Sequence, residues 1–379
     1  MEIGNPGEKE LRQKNRGAVF ALIRRGGEWS RQIIARELEL SLPTVSQNLK
    51  ELEQAGLICR TGTLGGTGGR RAVAYALNSR ARTAIGLDVT RRQVTAVALD
   101  LQGQVLCALR EKRAFDRSEA YAAFLGNLVR ETEECAGLDP ERILGVGIAL
   151  PGLLTRDKQA LSYCAFLGFP QVTLEELAAR IPYPVALCHD TAAAGFAEIW
   201  HDPHLSTAFY LMLNTSVGGS VYYDGKSYEG QNLRSCEVGH LQLVPGGRRC
   251  YCGKRGCVDP YCGGAVLADA AGGSLERFFA LLERQDPRAL PVWQEYLEHL
   301  ADTVGNLRML YDCNIILGGN VGSRMEPYME ALRRMVSERD PFQEDADYLM
   351  PCRYRQEPVA TGAALQLISG FLEEAQALL

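Results

Sequence analysis

Three features of the 379-residue chain predict an α/β body in two lobes behind an N-terminal winged helix-turn-helix. A pair of short helices runs into a glycine-tipped strand pair. From Ala84 onward strands and helices alternate. The charge is divided between these two parts. Residues 1–80 hold 13 basic and 8 acidic residues, net +5, whereas the remainder holds 28 and 38, net −10. Gln54 to Arg80 carries four Arg and no acid. A basic segment on an acidic body suits a module that faces nucleic acid.

Composition narrows the class further. Hydrophobic residues make up 46% and charged residues 23%, which excludes a disordered or fibrous chain. No apolar run reaches the length of a membrane span, so no membrane partner is expected. The opening MEIGNPGEKELRQKNR is too polar for a secretory signal. Twelve cysteines, most scattered singly, suit a reducing cytoplasm.

In the first domain, Glu8 to about Arg25 places Leu11, Val19, Phe20, Leu22 and Ile23 at helical spacing and stops at Gly26-Gly27. Ser30 is an N-cap for a short helix with Ile33, Ile34 and Leu38. Ser41 caps the next helix, and Pro43 falls in its first turn, where a missing N–H costs nothing. Leu42, Val45, Leu49 and Leu52 share one face; Pro43, Thr44, Gln47, Lys50, Glu51 and Gln54 share the other. Thr, Gln and Lys reach base edges or phosphates in a major groove, so Pro43, Thr44, Gln47 and Lys50 are candidate DNA contacts. LICRTG and AVAYALN then read as a hairpin whose tip carries Arg70 and Arg71, a wing for backbone or minor groove.

In the body, TAIGLDV, QVTAVALDL and QVLCALREKRA read as three sequential strands. A helix from Ser118 to Cys135 and the strand ILGVGIALPG follow. PVALCHD runs into the helix TAAAGFAEIW, and AFYLMLN and GSVYYDG form a second strand pair. Helices are expected at Val292–Tyr311, Arg324–Ser337 and Thr361 to the C-terminus, with the strand NIILGGN between the first two. No internal repeat is visible. The division expected is 1–80 for the winged helix, 81–195 for lobe 1 and 196–379 for lobe 2, whose last helix is able to pack back on lobe 1.

One segment, EVGHLQLVPGGRRCYCGKRGCVDPYC, crowds His240, Cys250, Cys252, Cys257 and Cys262 together. Thiolates and imidazole are what a structural Zn²⁺ takes, four in a tetrahedron. Cys250, Cys252 and Cys257 are three ligands; spacing alone leaves His240 and Cys262 open for the fourth. Disulfides or free thiols are the plainer alternative.

With its helix-turn-helix, this motif resembles the ROK family of repressors, open reading frames and sugar kinases, and specifically its repressor branch. The resemblance implies a two-lobed, actin-like sugar-kinase fold with a sugar in the cleft. It implies zinc on His240, Cys250, Cys252 and Cys257, and sugar contacts from Asp190, Glu237, His240, Asp259 and His189. Asp259 stands where the family has a Glu one methylene longer, and His189 where it has Asn.

The same resemblance argues against catalysis. The family's first phosphate loop, DxGGT, corresponds to Asp88-Val89-Thr90-Arg91-Arg92, and its second, GTGxGGG, to Asn214–Ser220. Side chains now stand where bare backbone N–H groups would cradle phosphates. Asp190 occupies the general-base position but has no ATP to act beside, so no catalytic residue is expected. The expectation is a homodimeric or homotetrameric repressor of carbohydrate-utilisation genes. It binds double-stranded operator DNA and senses a sugar or phosphosugar. The rival readings are an ATP-dependent sugar kinase and an effector-free regulator controlled by a protein partner.

Overall fold

The protein is described by a computed structural model covering residues 6–64, 72–163, 167–200 and 202–378. The N-terminal domain comprises α1 (Pro6–Arg24), α2 (Arg31–Glu37), α3 (Leu42–Gln54) and the antiparallel hairpin β1 (Ile58–Leu64) and β2 (Ala72–Leu77). Both N-caps form: Ser30 Oγ accepts the Ile33 N–H at 3.3 Å, and Ser41 Oγ accepts that of Thr44 at 3.3 Å. Val19, Phe20, Ile23, Ile34, Val45, Leu49 and Leu52 are buried together. Leu11 and Leu42, which the spacing assigns to the apolar faces, are exposed. Periodicity marks a face but not where along the helix its partner surface ends. Trp29 also pairs with Tyr75 of β2 as a bridge.

The first lobe contains β3 (Thr83–Val89), β4 (Val94–Asp100), β5 (Val105–Glu111), α4 (Glu119–Ala136) and β6 (Ile143–Leu150). A small sheet of β7 (Leu153–Leu154), β8 (Ala160–Tyr163) and β9 (Val172–Thr173) follows. Then come α5 (Leu174–Ala178), β10 (Val185–His189) and α6 (Asp190–Trp200). The second lobe holds β11 (Ala208–Leu213), β12 (Val217–Tyr223) and β13 (Lys226–Ser227). Its helices and remaining strands are α7 (Asp259–Cys262), α8 (Gly264–Asp269), α9 (Leu275–Glu283), α10 (Ala289–Tyr311), β14 (Asn314–Gly318), α11 (Gly319–Gly322), α12 (Met329–Ser337) and β15 (Leu349–Pro351). The chain closes with α13 (Pro358–Leu378).

The main sheets run β10-β6-β3-β4-β5 and β13-β12-β11-β14-β15. In each, the first strand is central, with two antiparallel strands on one side and two parallel strands on the other. The topology therefore repeats although the sequence shows no repeat. A sheet order needs only matching hydrophobic patterns, not matching residues.

Two further corrections concern particular residues. Cys107 of β5 and Cys135 of α4 form a disulfide across 28 positions, because α4 packs on that strand. These two are not the lone thiols the scattered spacing suggested. The helix expected from Arg324 begins as α12 at Met329, after a 3₁₀ turn at Glu326–Tyr328. Among the described residues no helix is long and apolar enough to cross a membrane.

Helix α13 packs on β3, β4 and β6 of the first sheet, on α6 and on α1. Glycines permit this closeness. A Cβ on Gly86 would lie 1.9 Å from Ala360 O, one on Gly147 2.3 Å from Ala363 O, and one on Gly362 1.7 Å from Ala193 O. At its far end, a Cβ on Gly17 of α1 would lie 2.9 Å from Gln376 O. Gly362→Ala is therefore expected to destabilise the protein by about 1–3 kcal/mol through forced displacement of α6. Gly305→Ala, in α10 with open space around it, is the control and gains up to about 1 kcal/mol. Urea denaturation of both variants checks this.

Candidate functional site

The cleft is built where parallel strands end. Asp88 lies near the end of β3, pairing with Ala149 of β6, and His189 ends β10 opposite Leu150. The carboxyl ends of adjacent parallel strands are where open α/β sheets bind ligands. Asp190 follows as the first residue of α6. Its Oδ1 accepts the Thr191 N–H at 2.7 Å and lies 3.3 Å from His189 Nδ1, which also meets Thr191 Oγ1 at 2.6 Å. Desolvation raises the Asp190 pKa, against the pull of His189. Desolvation, then Asp190 and Glu357, push Asp88 up to about 7, while Arg110 opposes them.

The second lobe carries the candidates Glu237, His240 and Asp259, of which Glu237 lines a cavity with His189 of the first lobe. Cys236, buried at φ 64°, turns the chain ahead of Glu237, a left-handed conformation few non-glycine residues adopt. Glu237 is exposed and, with His189, lines a cavity of about 50 Å³ between β12 and the start of α6. Asp259 opens α7, and its Oδ1 accepts the Val217 N–H at 2.7 Å, so one oxygen ties the zinc-type loop to β12. Desolvation raises its pKa.

The loop from His240 to Cys257 folds back through tight turns. Gly253 and Gly256 have φ of 91° and 78°, and a Cβ on Gly256 would lie 1.7 Å from Val244 O. Ligand atoms of His240, Cys250, Cys252 and Cys257 all lie within 4.8 Å of one another. Cys250 Sγ is 3.7 Å from His240 Nδ1, and Cys252 Sγ 3.8 Å from Cys257 Sγ. A tetrahedral ion with bonds of about 2.3 Å sets its sulfurs about 3.8 Å apart, so the donor set fits a metal of that geometry. Cys262 lies elsewhere, buried with its Sγ 3.6 Å from Thr303 Oγ1.

The two loops that correspond to the family's phosphate loops carry side-chain contacts of their own. Thr90 Oγ1 bonds Gln93 O at 2.8 Å, making a tight turn with Arg91 and Arg92 exposed on it. Asn214 Oδ1 accepts the Asn320 N–H at 2.8 Å, where a Cβ on Gly319 would come within 2.7 Å of it. Gly318 packs on the Tyr210 ring.

At the far end of α6, Trp200 meets the N-terminal domain: the Arg24 guanidinium of α1 lies 5.8 Å from its ring centroid. On α3, Pro43, Gln47 and Lys50 are exposed and Thr44 is half-buried. Gln47 Nε2 donates to Glu51 Oε1 at 2.7 Å, and Arg16 also pairs with Glu51. Arg70 and Arg71 lie outside the described residues. Sequence reasoning missed Asp88 as a partner of Asp190. It also missed Tyr251, whose hydroxyl is 3.1 Å from His240 Nε2. Only strand pairing reveals the first; the second sits between two named cysteines and was open to notice.

A helix-turn-helix on a duplicated two-lobed body with a Cys₃His loop defines the class. The ROK family model matches residues 84–368, and a helix-turn-helix domain model matches residues 11–59. The chain belongs to the ROK family. It is 26% identical over 268 residues to the DNA-binding transcriptional dual regulator NagC of Escherichia coli (strain K12), covering 68% of this chain. That match spans 64% of the regulator, less than two thirds of its length. The xylose repressor of Bacillus subtilis (strain 168) is 23% identical over 338 residues, 88% of this chain and 85% of the repressor. A solved ROK family transcriptional regulator, a homologue of the E. coli MLC protein, shares the fold with a TM-score of 0.75. It is 24% identical, over 97% of this chain and 99% of its own. The ROK hexokinase from Thermus thermophilus gives 0.64 at 25% identity, over 77% and 99%.

The raised Asp88 pKa has a stability consequence of definite sign. The folded state holds its proton up to about 7, whereas the unfolded carboxyl loses it near 3.8. The unfolded state therefore binds fewer protons between these values, and this group's contribution to stability falls as pH rises from about 4 to 7. Asp88→Asn is expected to raise Tm at pH 8 and to leave it nearly unchanged at pH 4, measured by differential scanning calorimetry.

Proposed function

We propose that the protein is a DNA-binding transcription regulator, a repressor of carbohydrate-utilisation genes. It senses a sugar or phosphosugar in a kinase-like cleft without phosphorylating it. One observation carries this reading: α6 begins in the cleft at Asp190 and ends at Trp200 against Arg24 of the helix-turn-helix domain. The names of the similar regulators agree with it.

His189, Asp190, Glu237, His240 and Asp259 hold the sugar hydroxyls, because carboxylate and imidazole accept and donate to a polyol in fixed directions. Their two lobes close on the ligand, and closure moves α6. Only a ligand that binds the closed form more tightly shifts the equilibrium; about 1–3 kcal/mol of coupling suffices. Pro43, Thr44, Gln47 and Lys50 of α3, with Arg70 and Arg71 of the wing, face operator DNA. A homodimer or homotetramer presents paired helices to successive major grooves. The cytoplasm is the compartment where such DNA is met.

His240, Cys250, Cys252 and Cys257 hold a structural zinc ion, which fixes the loop and the imidazole orientation. Zinc analysis of the purified protein is expected to give about one ion per chain. Cys250→Ser is expected to cut that ratio below half and lower Tm.

Side chains at Thr90 and Arg91 and at Asn214, Ser216 and Ser220, where the family's loops carry glycine, favour sensing over phosphorylation. Fluorescence anisotropy on a fragment of the gene's own upstream DNA tests the proposal. One member of a sugar and sugar-phosphate panel is expected to weaken DNA binding at least fivefold, and Lys50→Ala to weaken it without sugar. Turnover of about 10 per second in an ATP-coupled assay with the same panel would identify a kinase instead.

A further inference from the structure

We propose that Tyr251 is a latch on the sugar site, its phenol holding the place of a sugar hydroxyl on His240 until a pyranose displaces it. The inference rests on the sugar-site reading above and adds a residue to it.

The Tyr251 hydroxyl lies 3.1 Å from His240 Nε2, and the two rings meet edge to face at 5.1 Å. The opposite ring nitrogen, Nδ1, faces Cys250 Sγ at 3.7 Å. An imidazole whose Nδ1 serves a metal carries its proton on Nε2, so Nε2–H donates toward Tyr251. The phenol oxygen accepts it. The phenol is also within electrostatic reach of Asp259 and Glu237, and of Tyr163 on β8 of the other lobe. A hydroxyl that accepts from the imidazole among two carboxylates makes the interaction a sugar hydroxyl would make there.

Tyr251 is half exposed, in the short turn closed by the Gly253 N–H on Cys250 O, with φ of 91° at Gly253. Rotation about its own side-chain torsions would carry the ring toward solvent while the backbone stays. The contact with His240 therefore competes with the ligand, and the site is open only for part of the time.

Tyr251→Phe keeps the ring and removes the competing hydroxyl. Calorimetry and stopped-flow binding would use N-acetylglucosamine, D-glucose, D-xylose and the 6-phosphates of the two hexoses. For whichever of these binds, Tyr251→Phe is expected to tighten Kd about fivefold, the scale of one hydrogen bond. The gain should lie in the association rate, with metal content unchanged. Binding to the unaltered protein with equal or weaker binding to Tyr251→Phe would overturn the latch and leave the sugar site standing. No binding of any of them to either protein would overturn the sugar-site reading and the latch with it.

Discussion

Helix α13 lies so close to the first sheet that no side chain fits beneath it at Gly86 or Gly147, and none fits at Gly362 against α6. Backbone contact of this kind leaves little slack, since close-packed interiors transmit displacement rather than absorb it. The helix takes in β3, β6, α6 and α1 at once. Helix α13 thereby holds the N-terminal domain to the lobe that supplies Asp88, His189 and Asp190. The Trp200–Arg24 contact adds a second attachment of the N-terminal domain to that lobe.

Helix α6 spans from the cleft to the N-terminal domain. Asp190 opens it among raised-pKa carboxyls, and Trp200 closes it under the Arg24 guanidinium. In its last turn, Glu198 is buried and accepts the N–H groups of Arg353 and Tyr354 at 2.9 and 3.0 Å, which ties the helix to the segment after β15. One helix thus touches cleft, second lobe and N-terminal domain. The opposite wall of the cleft is stiffened differently, by turns that gather three thiols and an imidazole within 4.8 Å. Asp259 then fastens this wall to β12 through Val217.

Local patterns in the sequence identified much of this directly. The caps Ser30 and Ser41 and the strand TAIGLDV all stand where spacing placed them, because caps and alternation are local physics. The Cys-rich motif announced a metal-type cluster through residue chemistry alone. Spacing could not choose between His240 and Cys262, and the fold brings His240 in while burying Cys262 beside Thr303. Leu42 was assigned to a core it does not reach, since amphipathicity says nothing about the extent of the facing surface.

What the chain by itself determined was its membership, its helix and strand content, and the identity of the chemically active side chains. Tertiary structure alone decided which of them meet. Asp88 and Asp190 are about a hundred positions apart and come within electrostatic reach through parallel pairing of β3, β6 and β10. Cys107 reaches Cys135, the two sheets repeat one order, and α13 returns to the first lobe for the same reason. Such contacts are set by how layers stack and by where glycines let backbones approach, and neither leaves a periodic mark on neighbouring residues.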